Sequence, residues 1–262
     1  MRENRVKRIL ANGGIAIGTM ISEVRGPGII TMLATAGYDF VFIDMEHSSY
    51  SIETVADMIV AAKATEMAAL VRTPGLSRLA LSRPLDAGAD GLLIPQVETE
   101  EEVKRIIEYT KYYPLGQRGM AIRRAHSNFA RVNTAEYIKR ANEETLIVIQ
   151  IESEVAIRDL EKLVSVPGVD AAFIGPADLS QSYGVPGKTD DPRIQEALHR
   201  FIKVCNDYKV APGIHVYDMD AAKKWIDAGM RLIAYSNDIS MIVDTGRSYT
   251  TELKQYIAST KK

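Results

Sequence analysis

Eight short apolar runs, separated by segments of helical spacing, constrain this chain more than any other feature of its sequence. They occupy residues 14–20, 39–44, 67–72, 91–95, 145–151, 170–175, 210–215 and 231–235, and are rich in Val, Ile and Leu. Each has the length of a strand, and a nearly continuous apolar run is what a parallel strand covered on both faces requires. The seventh fits least well, because Pro212 and Gly213 lie inside it. Between the runs, residues 51–63, 98–112, 192–208 and 218–228 carry apolar side chains at helical spacing, with acidic residues at or near their starts. Gly37, Gly88 and Gly229 follow helical stretches and precede strands, where a left-handed C-cap is needed.

Strand–helix alternation of this kind either closes into a (β/α)8 TIM barrel or lies open as a doubly wound sheet. Eight units, and no glycine-rich dinucleotide loop after the first run, favour the barrel. The 262 residues suit a single barrel domain over 1–262, since that fold takes about 250. The stretch 113–142 is too long for a simple connection. With Gly116, Arg118, Gly119, Arg123 and Arg124 it reads as a loop with a short helix over the strand ends.

Hydrophobic residues make up 46 %, enough for a continuous core. With 32 basic against 34 acidic residues, the net charge of −2 gives no electrostatic reason to expect nucleic acid or an anionic membrane as partner. The basic N-terminus is followed by no long apolar stretch, and no run approaches the roughly 20 residues of a spanning helix. Cys205 is the only cysteine, so an internal disulfide is impossible. These features point to a soluble, cytoplasmic protein.

Barrel chemistry sits where strands run into the following loops. Those positions hold Asp44, Glu46 and His47 after the second run, Arg72 after the third, Gln96 after the fourth, and Gln150 and Glu152 at the fifth. Asp178 follows the sixth, His215 the seventh, and Ser236, Asn237 and Asp238 the eighth. Glu152 and Asp178 come from neighbouring strands. Two carboxylates without a cysteine or histidine cluster favour a hard divalent ion, Mg²⁺ or Mn²⁺, with Co²⁺ or Zn²⁺ as other candidates. Such a site leaves room for a chelating 2-oxo acid and for Lewis-acid stabilisation of its enolate. Arg72 would add fixed positive charge at the enolate oxygen, and His47 would handle the proton. An imine mechanism needs a lysine in an apolar pocket, and none of the eight runs contains one.

The stretches FVFIDMEHSSYS, LVRTPG, LDAGADGLLIPQVET, YYPLGQRG, VIQIESEVAI and GVDAAFIGPADLSQSYG carry a more specific signal. Together, from about Gly18 to about Asp238, the chain resembles the HpcH/HpaI family of class II pyruvate aldolases. The resemblance implies metal-dependent cleavage of 4-hydroxy-2-oxo acids to pyruvate and an aldehyde. It also implies a barrel whose last helix packs on a neighbouring subunit, usually within a homohexamer built as a trimer of dimers. Residue by residue, Glu152 and Asp178 match the metal ligands, His47 the acid/base histidine and Arg72 the arginine at the pyruvate oxygens. Gln150 matches a glutamine beside metal and substrate. Ala177 matches a backbone donor to the substrate carboxylate. Asp44 matches a supporting carboxylate, and Asp86 an aspartate reaching the histidine across a subunit boundary. His215 stands where the family carries an apolar residue, and AYSND stands where VGSD is more usual. Both positions would face the aldehyde half of the substrate, so the resemblance leaves the aldehyde open.

Plainer roles exist for the same residues. Glu152 could be a helix-start charge, Asp178 a turn cap, His47 a structural histidine, and Arg72 only the partner of Asp44 or Glu46. Asp86 is equally well a surface carboxylate. Arg123 and Arg124 could be solvated, in subunit contact, or gripping an acidic substrate tail. Cys205 reads as a small buried hydrophobe. The competing functions are an acyl-CoA lyase of the same superfamily, which would carry extra elements for coenzyme A, and a non-catalytic small-molecule-binding barrel, which would need no proton handler.

Overall fold

In the computed structural model, which describes residues 2–260, the eight runs form eight parallel strands closed in sequence order into a barrel. They are β1 (Ala16–Ile21), β2 (Phe40–Asp44), β3 (Ala68–Arg72), β4 (Gly91–Ile94), β5 (Leu146–Ile151), β6 (Ala171–Ile174), β7 (Ala211–Val216) and β8 (Leu232–Asn237). The ring shuts where β1 pairs with β8. The ends Met1, Lys261 and Lys262 of the expected 1–262 domain lie outside the described residues.

Side chains alternate inward and outward along each strand. The inward set (Phe40 and Phe42, Ala68 and Leu70, Leu146 and Val148, Ala171 and Phe173, Leu232 and Ala234) fills the barrel interior as one apolar cluster. The outward set (Val41, Ile43, Val71, Ile147, Ile149, Ile233) packs beneath the helices in a second, larger cluster. Phe40, Phe42 and Phe173 meet edge to face, with ring centroids 4.9 and 5.2 Å apart. That filling explains the irregular seventh run. A Cβ on Gly213 would lie 2.6 Å from the Phe173 ring and 2.8 Å from the Leu232 carbonyl oxygen, so only glycine lets β7 approach.

The four expected helices are present as Ile52–Lys63, Glu100–Thr110, Pro192–Asp207 and Met219–Asp227. The run of glutamates opens the second of these through a reciprocal capping box between Thr99 and Glu102. Gly37, Gly88 and Gly229 take φ of 97°, 104° and 112°, as their positions required. Among the helices not anticipated, Arg5–Ala11 plugs the strand-start end of the barrel, with Val6 and Leu10 joining the interior cluster.

The stretch 113–142 departs from expectation. It carries a 3-10 turn, Ala125–Ser127, and the helix Thr134–Glu144, yet it does not cover the strand ends. It packs on the outside and at the strand-start end, where Lys63 Nζ meets the Ala125 carbonyl and Lys111 Nζ donates to the carbonyls of Asn142 and Thr145. The reason is topological: the stretch follows a helix rather than a strand, so it leaves from the end where strands begin. Arg123 and Arg124 are exposed there, away from the strand-end mouth of their own chain.

Candidate active site

The period of two that fills the barrel also furnishes its mouth. The next inward position above Phe42 is Asp44, above Leu70 is Arg72, above Val148 is Gln150, above Phe173 is Gly175, and above Gly213 is His215. The apolar layers therefore end in a polar layer at the strand ends. Two lobes open there and share His47 and Asp178. The wider, about 670 Å³, is lined by Arg72, Gln150, Ala177 and His215 among others, and the narrower, about 550 Å³, by Gln96 and Glu152.

Arg72 is fixed by carboxylates on β2 and in the loop after it. Its Nε and Nη2 donate to the two Asp44 oxygens at 2.8 and 2.7 Å, and Nη1 lies 3.3 Å from Glu46 Oε2. Burial alone would raise the Asp44 carboxyl. The hydrogen bonds and charge of Arg72, with the N–H groups of Glu46 and His47, outweigh it and hold the group below the usual range. Pairing of Arg72 with Asp44 and Glu46 is thus real, and it aims the guanidinium rather than removing it from the mouth. The His47 side chain is 64 % exposed at the junction of the lobes, its Nε2 3.7 Å from Glu46 Oε2.

Glu152 is 8 % exposed. Its Oε1 accepts from the Gln96 backbone N–H at 2.7 Å, and its Oε2 accepts from Gln150 Nε2. Gln96 adopts φ 56°, a left-handed conformation that turns its N–H to Glu152. Burial pushes the Glu152 carboxyl up, the two hydrogen bonds pull it down, and the charges of Glu46 and Asp178 push it up again, leaving it raised. Gly175 makes room for this group: a Cβ there would lie 2.9 Å from Glu152 Oε2. Gln96 and Gly175 are contributors to which the sequence reading assigned no role, and Glu46 figured there only as an alternative partner of Arg72. Glu46 and Gln96 stood among the strand-end residues, and Gly175 could have been found just past β6, where it continues the inward period.

A divalent cation fits this donor set. Carboxylates that repel one another around Glu152 call for a positive charge, and Gln150 Oε1 is buried without a partner. All the donors are oxygens, as hard ions prefer. Among the described residues no group of three or more His, Cys, Asp or Glu converges on one point, so the protein's share would be two carboxylates, with water and substrate completing the sphere. The lysine lining the wider lobe, Lys224, sits in its outer wall, bonded to Gln195 at 2.6 Å and 4.5 Å from the Trp225 ring centre.

Asp86 is not brought to His47 within the chain. It lies in the last turn of the helix Arg78–Ala87 and pairs with Arg118 at 2.6 Å. Asp238, 2 % exposed at the start of the last helix, accepts the N–H groups of Ser22, Glu23 and Val24 and so pins the loop after β1 to the mouth. Cys205 is fully buried, and burial pushes its thiol up.

A family model described as HpcH/HpaI aldolase/citrate lyase matches residues 20–245. A hydroxypyruvate/pyruvate aldolase of Roseobacter denitrificans is 34 % identical over 96 % of this chain and 98 % of its own length. A 4-hydroxy-2-oxo-heptane-1,7-dioate aldolase of Escherichia coli is 31 % identical over 92 % and 91 %. The crystal structure of an HpcH/HpaI aldolase from Desulfitobacterium hafniense superimposes with a TM-score of 0.89 at 31 % identity, covering 96 % of this chain and 95 % of that one.

Proposed function

The chain belongs to the HpcH/HpaI aldolase/citrate lyase family, and from that premise we propose that its strand-end mouth cleaves 4-hydroxy-2-oxo acids, reversibly, to pyruvate and an aldehyde. It is a carbon–carbon lyase of the aldehyde-lyase type. The observation that carries the site assignment is the convergence of Glu152, Asp178, Gln150, Arg72 and His47 on one mouth.

Glu152 and Asp178 would hold the divalent ion, and the all-oxygen set favours Mg²⁺ or Mn²⁺. When bound, that ion supplies Lewis-acid polarisation of the 2-oxo group. The chain's own residues do the rest. Arg72, fixed by Asp44 and Glu46, faces the oxygen on which negative charge develops. Gln150 positions that end of the substrate, and the Ala177 N–H, free at the start of the helix Pro176–Ser182, meets its carboxylate. In cleavage, His47 accepts the C4 hydroxyl proton, the C3–C4 bond breaks, the aldehyde leaves, and the electron pair passes to the 2-oxo oxygen. A proton returned to C3 then completes pyruvate.

The last helix, Asp238–Thr260, supports assembly. Only Asp238 in it is buried, while Ile239, Ile242, Val243, Tyr249, Leu253, Tyr256 and Ile257 are exposed. An apolar face of that length calls for a second copy of this chain, in keeping with exchange of the helix between subunits and a homohexamer. In such an assembly Asp86 would serve the His47 of a neighbour. No helix among the described residues is long and apolar enough to cross a membrane, and the lone buried Cys205 accords with a cytoplasmic setting.

The test is pyruvate release from a 4-hydroxy-2-oxo acid. It should stop with EDTA and return with Mn²⁺ or Mg²⁺. Full activity after exhaustive chelation would sink the metal role, and a borohydride-trapped pyruvate adduct would replace it with an imine.

A further inference from the structure

The wider lobe holds a histidine that the cleavage chemistry does not use. His215 is the last inward residue of β7, and its Nε2 lies 2.8 Å from the Ser236 carbonyl oxygen. A carbonyl oxygen only accepts, so Nε2 carries the hydrogen and, in the neutral ring, Nδ1 presents a bare lone pair. Burial opposes a second proton, and the Arg72 charge works the same way, holding His215 below its ordinary range.

The orientation is built rather than incidental. Ser236 takes φ 58°, and its carbonyl is also held by the Thr19 hydroxyl at 3.0 Å. The imidazole stacks on Tyr217, centroid to centroid 4.6 Å at 24°. Among the described residues Nδ1 has no hydrogen-bond partner, and it is not among the atoms sealed from solvent, while the ring lines the cavity. An accessible acceptor in a substrate cavity, next to a largely apolar wall of Ile214, Val216 and Trp225, asks for a donor on the substrate.

We propose that His215 Nδ1 accepts a hydrogen bond from a substrate hydroxyl, so that the aldehyde half handled by this enzyme is a hydroxyaldehyde rather than an alkyl aldehyde. The proposal rests on the aldolase reading of the mouth. An alkyl chain would leave the acceptor unpaired, a loss of roughly ten- to hundredfold in kcat/KM.

The experiment uses the full-length enzyme with Mn²⁺ and pyruvate, comparing glycolaldehyde with acetaldehyde and glyceraldehyde with propionaldehyde. The hydroxylated member of each pair should be favoured about ten- to hundredfold. His215→Leu should bring both ratios close to one, and His215→Gln, which retains a hydrogen-bonding amide, should keep part of the preference. A wild-type ratio near one overturns the proposal without any variant, and so does a ratio that His215→Leu leaves unchanged. A second arm compares hydroxypyruvate with pyruvate as donor to acetaldehyde. A His215-dependent preference confined to that arm overturns the placement of the hydroxyl on the aldehyde half. Exchange of the pyruvate methyl protons in D₂O reads the aldolase assignment separately. Exchange without a hydroxyl preference overturns this inference alone, and absence of exchange overturns both.

Discussion

Asp44→Asn isolates what the buried carboxylate does for Arg72. The two groups are 1 % and 9 % exposed and share two short hydrogen bonds. Asparagine keeps the shape and can still accept the N–H groups of Glu46 and His47. It removes the charge, however, and sets an amide NH₂ against a guanidinium nitrogen. Breaking a buried pair from one side costs about 3–5 kcal/mol. Glu46, 3.3 Å from Nη1, keeps part of the compensation, so the lower end, about 3 kcal/mol, is expected. For a chain of this length that is a fall of about 6 °C in Tm. The pH dependence carries the signature. The folded-state carboxyl lies below its unfolded value near 3.9, so the unfolded chain binds the proton more readily and the stabilisation is fully present above that pH. It is lost as pH falls through the folded value, so the gap between wild type and variant should narrow below about pH 4. Thermal melts of both proteins from pH 3 to pH 8 measure this, and kcat/KM with a 4-hydroxy-2-oxo acid should fall at least about tenfold. A variant with wild-type Tm at pH 7 and wild-type activity would refute the view that Asp44 holds Arg72 for its task.

Other perturbations separate the remaining parts. Glu152→Gln should weaken Mn²⁺ binding in calorimetry by at least about tenfold, whereas His47→Ala should keep that affinity and lose turnover; equal Mn²⁺ affinity in all three proteins would displace the metal site. Gly213→Ala forces a Cβ against Phe173 and the β8 backbone, and should destabilise the barrel by about 1–3 kcal/mol in urea unfolding, with an unchanged midpoint contradicting the packing. Lys111 is buried and held at about 8, below its unfolded value, so wild type should gain roughly 2 kcal/mol between pH 8 and pH 10 relative to Lys111→Met; parallel pH profiles would show that the ammonium is not desolvated as described. Deleting residues 241–262 should reduce the particle mass in light scattering, and a truncated chain of wild-type mass would remove the last helix from the assembly.

The strands were legible because strands covered on both faces must be apolar throughout, and eight such units without a dinucleotide loop tipped the choice from an open doubly wound sheet to the barrel. Asp44, Arg72, Gln150 and His215 were legible for a related reason: a polar residue that continues the inward period at a strand end has only the mouth to face. Glu152 and Asp178 stand just beyond their strands and were singled out by charge type. Features that depend on shape escaped. Nothing in the string says that Gln96 turns left-handed to give its N–H to Glu152, or that Gly175 clears the space beside it. The helix Arg5–Ala11 was passed over because seven residues carry too few apolar positions to show a period, and only Val6 and Leu10 reveal it as a plug. The stretch 113–142 was placed at the wrong end by its arginines, when its position after a helix already decided the matter. The role proposed for Asp86 needs a boundary between chains, which one sequence does not display; within the chain it pairs with Arg118.

Asp238 gives the last helix a second meaning. Its carboxylate buckles the loop Ser22–Val24 to the end of β8, and from the same residue a 23-residue rod runs outward. One carboxylate thus ties a loop of the mouth to the root of a long exposed helix, and a substitution at Asp238 should be read at both of them.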